Sequence, residues 1–209
     1  MAEIDELAGL GIASVDFHDD TFNLHSKRVR EFTDRVTVNF PALEWGCFCR
    51  ARQFSEEQAR DMVSAGCRVV QFGVESGNDN VLERIGKKTC RRDVESAVRA
   101  ASAAGIDQIV CGFIIGYPFD TPESIRETID FGLHLAGLGA TRLTLSLLTP
   151  YPGTEMYDRR EELGMRLLTD DWEQFTFSRV VQSSPGLSPD FLREAYVDGV
   201  LRFLDVAKR

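Results

Sequence analysis

Apolar positions along this chain follow two alternating rhythms. The runs IASVDFHDD, LEWGCFCRA, CRVVQFGVE, QIVCGFIIG and RLTLSLL are short and rich in β-branched and aromatic residues, and each reads as a strand. Between them the spacing turns helical. HSKRVREFTDRV and SEEQARDMVSAG each read as a helix, and the second has Ser55 as its cap, Gln58 at the capping-box position and Gly66 as its stop. Helical material from 78 to 104 is interrupted near Gly86 and closed by Gly105. Thr121 and Pro122 open a long helix as cap and first-turn proline. A short helix is expected over Tyr157 to Leu163, irregular chain over 166–187, and a last helix from Ser188–Pro189. In that last helix Leu192, Ala195, Val200 and Phe203 form a docking face.

Strand and helix alternate at a spacing of roughly 30 residues, the signature of right-handed βαβ units on a parallel sheet. Five strands are expected, with a core over 1–165 and a C-terminal extension with a docking helix over 166–209. Alternation sorts their side chains. Gln71, Gly73 and Glu75 share one face, opposite Val70, Phe72 and Val74. Gly112, Ile114 and Gly116 oppose Ile109, Cys111, Phe113 and Ile115, and Thr144 and Ser146 oppose Leu143, Leu145 and Leu147. Bulky faces suit packing under helices. Small and polar faces suit a cavity, so the sheet reads as a wide or incomplete parallel (β/α) barrel of partial TIM type. Ligands in such folds sit at the carboxyl ends of strands. Asp19, Asp20, Arg50, Glu75, Ser76, Gly116 and the TPYPGT turn gather there.

Composition narrows the function. Lys and Arg number 24 against 33 Asp and Glu, a net charge of −9 that disfavours nucleic acid as a general partner. No apolar run reaches membrane-spanning length, and the acidic MAEIDELAGLG start lacks the order of a secretion signal, so a cytoplasmic protein is expected. The five cysteines, at 47, 49, 67, 90 and 111, form no disulfide framework. The histidines His18, His25 and His134 are too dispersed for a metal set.

Five stretches, in order, carry a resemblance: FHDDTFNLHSKRV, WGCFCRA, SAGCRVVQFGVESGNDNVLERIGKKT, AAGIDQIVCGFIIGYPFDTPESIRETIDF and TPYPGTEMYD. Together they resemble the radical S-adenosylmethionine (SAM) enzymes, and most closely the cobalamin-associated group of the anaerobic Mg-protoporphyrin ester cyclase. The resemblance implies an incomplete barrel, commonly of six βα units, and a Cys-x3-Cys-x2-Cys loop after the first strand. That loop holds a 4Fe–4S cluster whose fourth iron takes SAM for reductive cleavage to a 5′-deoxyadenosyl radical. This sequence has no such motif; Cys47-Phe48-Cys49 lies on a strand. The first strand, the cluster loop and most of the first helix are therefore expected to be missing. About five of six units would remain, and the chain would be inactive alone. The strand holding Val15 and Phe17 would then be a bare edge, covered by a partner chain, a neighbouring copy or the tail.

The resemblance also implies site residues. Asp20 would approach the methionyl amine or merely cap the next turn or helix, and Arg50 would hold the SAM carboxylate or stay at the surface. Glu75 would meet the ribose hydroxyls or the methionyl part; otherwise it pairs with Arg50 or a backbone amide. Ser76 would add a hydrogen bond or merely satisfy the turn. Gly112 and Gly116 would let adenine approach the backbone or merely allow close strand or helix packing, and Pro152 lies in a rigid turn bordering the adenosyl group. The basic island ERIGKKTCRR, in which Lys87 matches the family's lysine, reads as a solvated face or as a contact for an anionic substrate or partner. Arg52 stands where the family often has an acid. Substrate class stays open: tetrapyrrole, lipid, peptide or small metabolite. Two other readings remain: a non-catalytic binding or scaffold subunit, and an unrelated barrel lyase or hydrolase using Asp20 and Glu75 as acid and base.

Overall fold

The computed structural model describes residues 1–206. Helix α1 (Ala2–Gly9) leads into β1 (Ser14–Phe17), α2 (Ser26–Asn39), β2 (Glu44–Cys49) and α3 (Glu56–Ser64). Strand β3 (Cys67–Glu75) is followed by α4 (Asp79–Arg84) and α5 (Arg91–Ala104). Next come β4 (Gln108–Ile115), α6 (Pro122–Gly137) and β5 (Arg142–Leu147). A short helix α7 (Glu155–Asp158), the strands β6 (Arg166–Leu167) and β7 (Gln182–Ser183), and α8 (Pro189–Val206) complete the described elements.

Strands β1 to β5 form one sheet in sequence order, and every neighbouring pair is parallel. Sequential order with a helix after each strand is barrel winding, and the sheet stays open with β1 and β5 at its edges. The alternation read from the sequence sets the layers. Val70, Phe72, Val74, Ile109, Cys111, Phe113 and Leu145 are buried beneath the helices. Gly73 and Thr144, on the opposite face, are exposed. The first strands add an aromatic wall of Phe17, Phe22, Phe32 and Trp45, with ring centroids 5.2–5.9 Å apart. No described helix is long and apolar enough to cross a membrane.

Local signals act mostly as expected. The Ser55 hydroxyl accepts the Gln58 N–H at 3.1 Å, and Thr121 does the same for Ser124 at 3.2 Å. Gly105, at φ +86°, turns the end of α5 back toward β4, a conformation that costs other residues about 1 kcal/mol or more. Four details differ. The Gln58 side chain makes no reciprocal cap bond; it is buried and meets Asn23 at 3.4 Å. The helix expected over Tyr157 to Leu163 is a single turn over Glu155–Asp158, because Thr154 caps it earlier through the Tyr157 N–H at 3.3 Å. Turns follow it. Within 166–187, β6 and β7 pair antiparallel.

The fourth difference concerns the tail. Helix α8 packs on β5 and α6, at the opposite end of the sheet from β1. Leu192 and Phe203 are buried as expected, while Ala195 and Val200 are half-buried. Gly199 permits the close approach: a Cβ there would stand 2.5 Å from Leu145 Cδ2. The described part of the tail leaves the outer edge of β1 alone, and no described strand pairs there. Ile4 of α1 packs nearby with Val36 and Leu43, and Val15 and Phe17 of β1 lean on that group.

Candidate functional site

The carboxyl ends of the strands open into two adjoining cavities. The larger, about 900 Å³, is lined by Asp20, Phe48, Arg50, Gln71, Gly73 and the loop around Lys88. The smaller, about 470 Å³, is lined by Ile85, Ile114, Tyr117, Phe119, Met156 and Leu163, among others. Glu75 and Lys87 belong to both walls.

Glu75 earns its place through backbone geometry. The β3–β4 register shifts between Gly73 and Glu75, so Val74 is an extra residue. Such a bulge re-aims the side chain that follows it. Glu75 has φ +69°, the one non-glycine residue with positive φ among the described residues. Left-handed backbone at a bulky residue is strained, and strain of this kind collects at functional sites. Its Oε1 accepts from Lys87 Nζ at 2.7 Å, and both side chains are about three-quarters covered. A Cβ on Gly73 would stand 2.7 Å from Glu75 Oε1 and 3.1 Å from Lys87 Nζ. The missing side chain at 73 is thus what lets the pair lie across the sheet. Gly112 is its register partner on β4 and extends the bare floor toward Thr144.

The turn after Glu75 is held from the helix side. Ser76 is buried, its hydroxyl 3.0 Å from Thr128 Oγ1 and accepting the Asn78 N–H at 3.1 Å. These bonds satisfy the turn. Gly77 fits under α6 so tightly that a Cβ would stand 2.6 Å from the Glu127 carbonyl oxygen.

Two buried polar residues, not singled out in the sequence, build the rims. Asn23 clamps the end of β2: its Oδ1 accepts the Arg50 N–H at 2.7 Å, and its Nδ2 donates to the Arg50 carbonyl at 3.0 Å. Asp120 clasps the end of β4. Its Oδ2 accepts the Gly116 and Tyr117 N–H groups at 3.0 Å each, and Ser124 Oγ donates to its Oδ1 at 2.6 Å. Burial pushes the Asp120 carboxyl above its ordinary value, with those hydrogen bonds acting against the rise. The Tyr117 phenol is pushed up as well, first by burial and then by the charges of Glu75 and Asp120. Asn23 sits in FHDDTFNLHSKRV and Asp120 in GYPFDT, where only a turn or cap was legible.

The other expected residues divide. Asp20 and Arg50 line the larger cavity, and the Arg50 guanidinium has no described carboxylate partner. Asp19 instead pairs with Arg28 at 3.0 Å. Glu75 pairs with Lys87, not Arg50. Gly116 sits under the extension: its carbonyl accepts from Gln182 Nε2 at 2.7 Å, and Leu192 stands 3.4 Å from where its Cβ would be. Pro152 is exposed in its turn, while Glu155 and Met156 beyond it line the smaller cavity.

The thiols do not fit an iron–sulfur cluster. Cys47, Cys49, Cys67 and Cys111 are buried; Cys47 and Cys49, 3.6 Å apart, belong to the core, and Cys49 also reaches the wall of the larger cavity. Hydrogen bonding to Cys49 and Cys67, with burial, pushes the Cys47 thiol far up, and burial alone pushes Cys111 to about 12. Thiolates are the metal-binding form, so Cys47 and Cys111 are poor ligands. No group of three or more metal-ligating side chains occurs among the described residues.

Residues 1–132 match the Radical SAM superfamily. The chain belongs to the radical SAM superfamily. An uncharacterized methyltransferase of Pyrococcus horikoshii is 32% identical over 196 residues, covering 92% of this chain and 42% of that protein. The radical SAM methyltransferase TsrM of Kitasatospora setae, solved with cobalamin and a 4Fe–4S cluster, superposes with TM-score 0.75 at 25% identity. That match covers 98% of this chain and 44% of TsrM. The same enzyme, solved with a tryptophan substrate and the SAM analogue aza-SAM, gives TM-score 0.73 at 25% identity over 96% of this chain and 45% of TsrM. This radical SAM chain thus spans under half the length of these relatives.

Proposed function

We propose that this chain is the SAM-binding part of a radical SAM enzyme core. In this reading SAM lies across the Glu75–Lys87 pair. The ribose rests over Gly73 and Gly112, where a carboxylate can accept two hydroxyl hydrogen bonds. The adenine side turns to the smaller, more apolar cavity beside Ile114 and Tyr117. The methionyl end enters the larger cavity, with Arg50 on its carboxylate and Asp20 near its ammonium. Ser76, Gly116 and Pro152 serve the site from behind, in the turns that fix its walls. The observation that carries this reading is Glu75, held in left-handed backbone by a bulge at the ligand end of the sheet.

The family's chemistry is reductive SAM cleavage at a 4Fe–4S cluster. Cys47, Cys49 and Cys67 supply no such site, so cluster ligands would come from other residues. The free edge of β1 suits a further strand, from a partner chain or another segment. The methyltransferase relatives make methyl transfer to a small molecule the favoured reaction class.

A non-catalytic binding or scaffold role is the second reading, favoured by the burial of the thiols. Anaerobic equilibrium dialysis with labelled SAM separates the two, before and after iron and sulfide are supplied. Binding in either condition supports the SAM site; none in both favours the scaffold.

A further inference from the structure

The larger cavity carries more positive charge than SAM needs. Four cations line it, Arg50, Arg52, Lys87 and Lys88, against the acids Asp20 and Glu75. Lys87 is committed to Glu75. In the reading above, which this inference extends, Arg50 and Asp20 serve the two ends of methionine. Arg52 and Lys88 are left over, and neither meets a described carboxylate.

They come from separate parts of the chain and are brought together. Arg52 lies on the short turn Ala51–Gln53 after β2, and that turn packs against α5. Lys88 lies in the loop between α4 and α5. Arg52 Nη1 donates to the Lys88 carbonyl at 3.2 Å, which ties the two loops together on one wall. Both side chains line the same cavity and are exposed, so their charges are open to an anion that enters it. The net charge of −9 repels a polyanion, and the wall belongs to a cavity of about 900 Å³, the size of a small-molecule site.

We propose that Arg52 and Lys88 bind an anionic group, carboxylate or phosphate, of a small-molecule substrate seated beside SAM. A fork-shaped guanidinium and an ammonium lining one cavity suit an oxyanion with several acceptors.

Calorimetric titration with pyrophosphate and with citrate at low salt tests this. The wild type binds at least one, and Arg52→Gln/Lys88→Gln weakens it by about tenfold or more. Arg35→Gln/Arg99→Gln removes the same charge from exposed helix positions and should change the affinity by less than about twofold. SAM affinity in Arg52→Gln/Lys88→Gln should stay within about twofold of wild type. Equal weakening in both double variants, or no binding of either anion, overturns the proposal. Loss of SAM binding in Arg52→Gln/Lys88→Gln also overturns it, since the cations would then belong to SAM. So does tighter binding of a short single-stranded RNA than of either probe. Should wild type bind the anions as described but not SAM, the SAM reading fails and the anion site stands.

Discussion

Glu75 Oε1 and Lys87 Nζ meet at 2.7 Å directly over Gly73, where a side chain would otherwise stand. The bulge at Val74 aims the carboxylate, the loop after α4 delivers the ammonium, and the glycine leaves them room. Backbone strain, ion pair and bare floor form one arrangement at the ligand end of the sheet.

The strain can be measured by two substitutions that delete the same carboxylate. Glycine in place of alanine ordinarily weakens a strand. At φ +69° the order should reverse, with Glu75→Gly more stable than Glu75→Ala by about 1 kcal/mol. Urea denaturation of the two variants gives the difference. An alanine variant equal to or more stable than the glycine variant would show that the residue is not held left-handed.

Neighbouring glycines should respond differently to a methyl group. At Gly73 the obstacle is the flexible ends of Glu75 and Lys87, so Gly73→Ala should fold normally but displace the pair and weaken SAM binding. At Gly77 the obstacle is the backbone of α6, with the Glu127 carbonyl oxygen at 2.6 Å and Thr128 Cα at 2.7 Å. Gly77→Ala should cost about 2 kcal/mol or more, the range of overpacked sites. Thermal melts and SAM titrations of both variants check the contrast.

Thiol chemistry reads the burial of the cysteines. Cys90 is exposed, whereas Cys47, Cys49, Cys67 and Cys111 are buried. Ellman's reagent should label one thiol rapidly in the native protein and the other four only on unfolding. Iron and sulfide should leave those four slow. Fast labelling of Cys47 or Cys49 would contradict their burial.

Asp120 gives a pH signature of unusual sign. Burial raises its folded pKa above the ordinary 3.8. Between those two values the folded state binds more protons than the unfolded one, so this group's contribution to stability grows as the pH falls. The stability advantage of wild type over Asp120→Asn should widen on acidification from pH 7 toward about 4. Paired urea melts across that range test it, and a narrowing gap would contradict the burial of the charge.

Much of the fold was legible in the sequence because period and punctuation agreed. Alternation in CRVVQFGVES put Gln71, Gly73 and Glu75 on the open face, and Gly105 and Thr121 marked helix ends where the structure has them. The site was legible only in outline. Glu75 stood out as a charge ending an apolar strand, yet its partner was not Arg50, because a one-residue bulge leaves no trace in periodicity. Asn23 and Asp120 act through contacts with backbone that a single sequence does not display. The destination of α8 was hidden for a related reason: its apolar stripe required a docking surface, but the choice of β5 depended on the close approach at Gly199.

Glu75 is proposed to mark a SAM cleft. The most direct measurement is calorimetric titration of SAM into wild type and Glu75→Gln, under anaerobic conditions and with the melting temperature of each recorded. Wild type should bind SAM, and Glu75→Gln should bind it at least about tenfold more weakly with melting nearly unchanged. Equal affinity in the two proteins, or no binding by wild type with and without iron and sulfide, would contradict it.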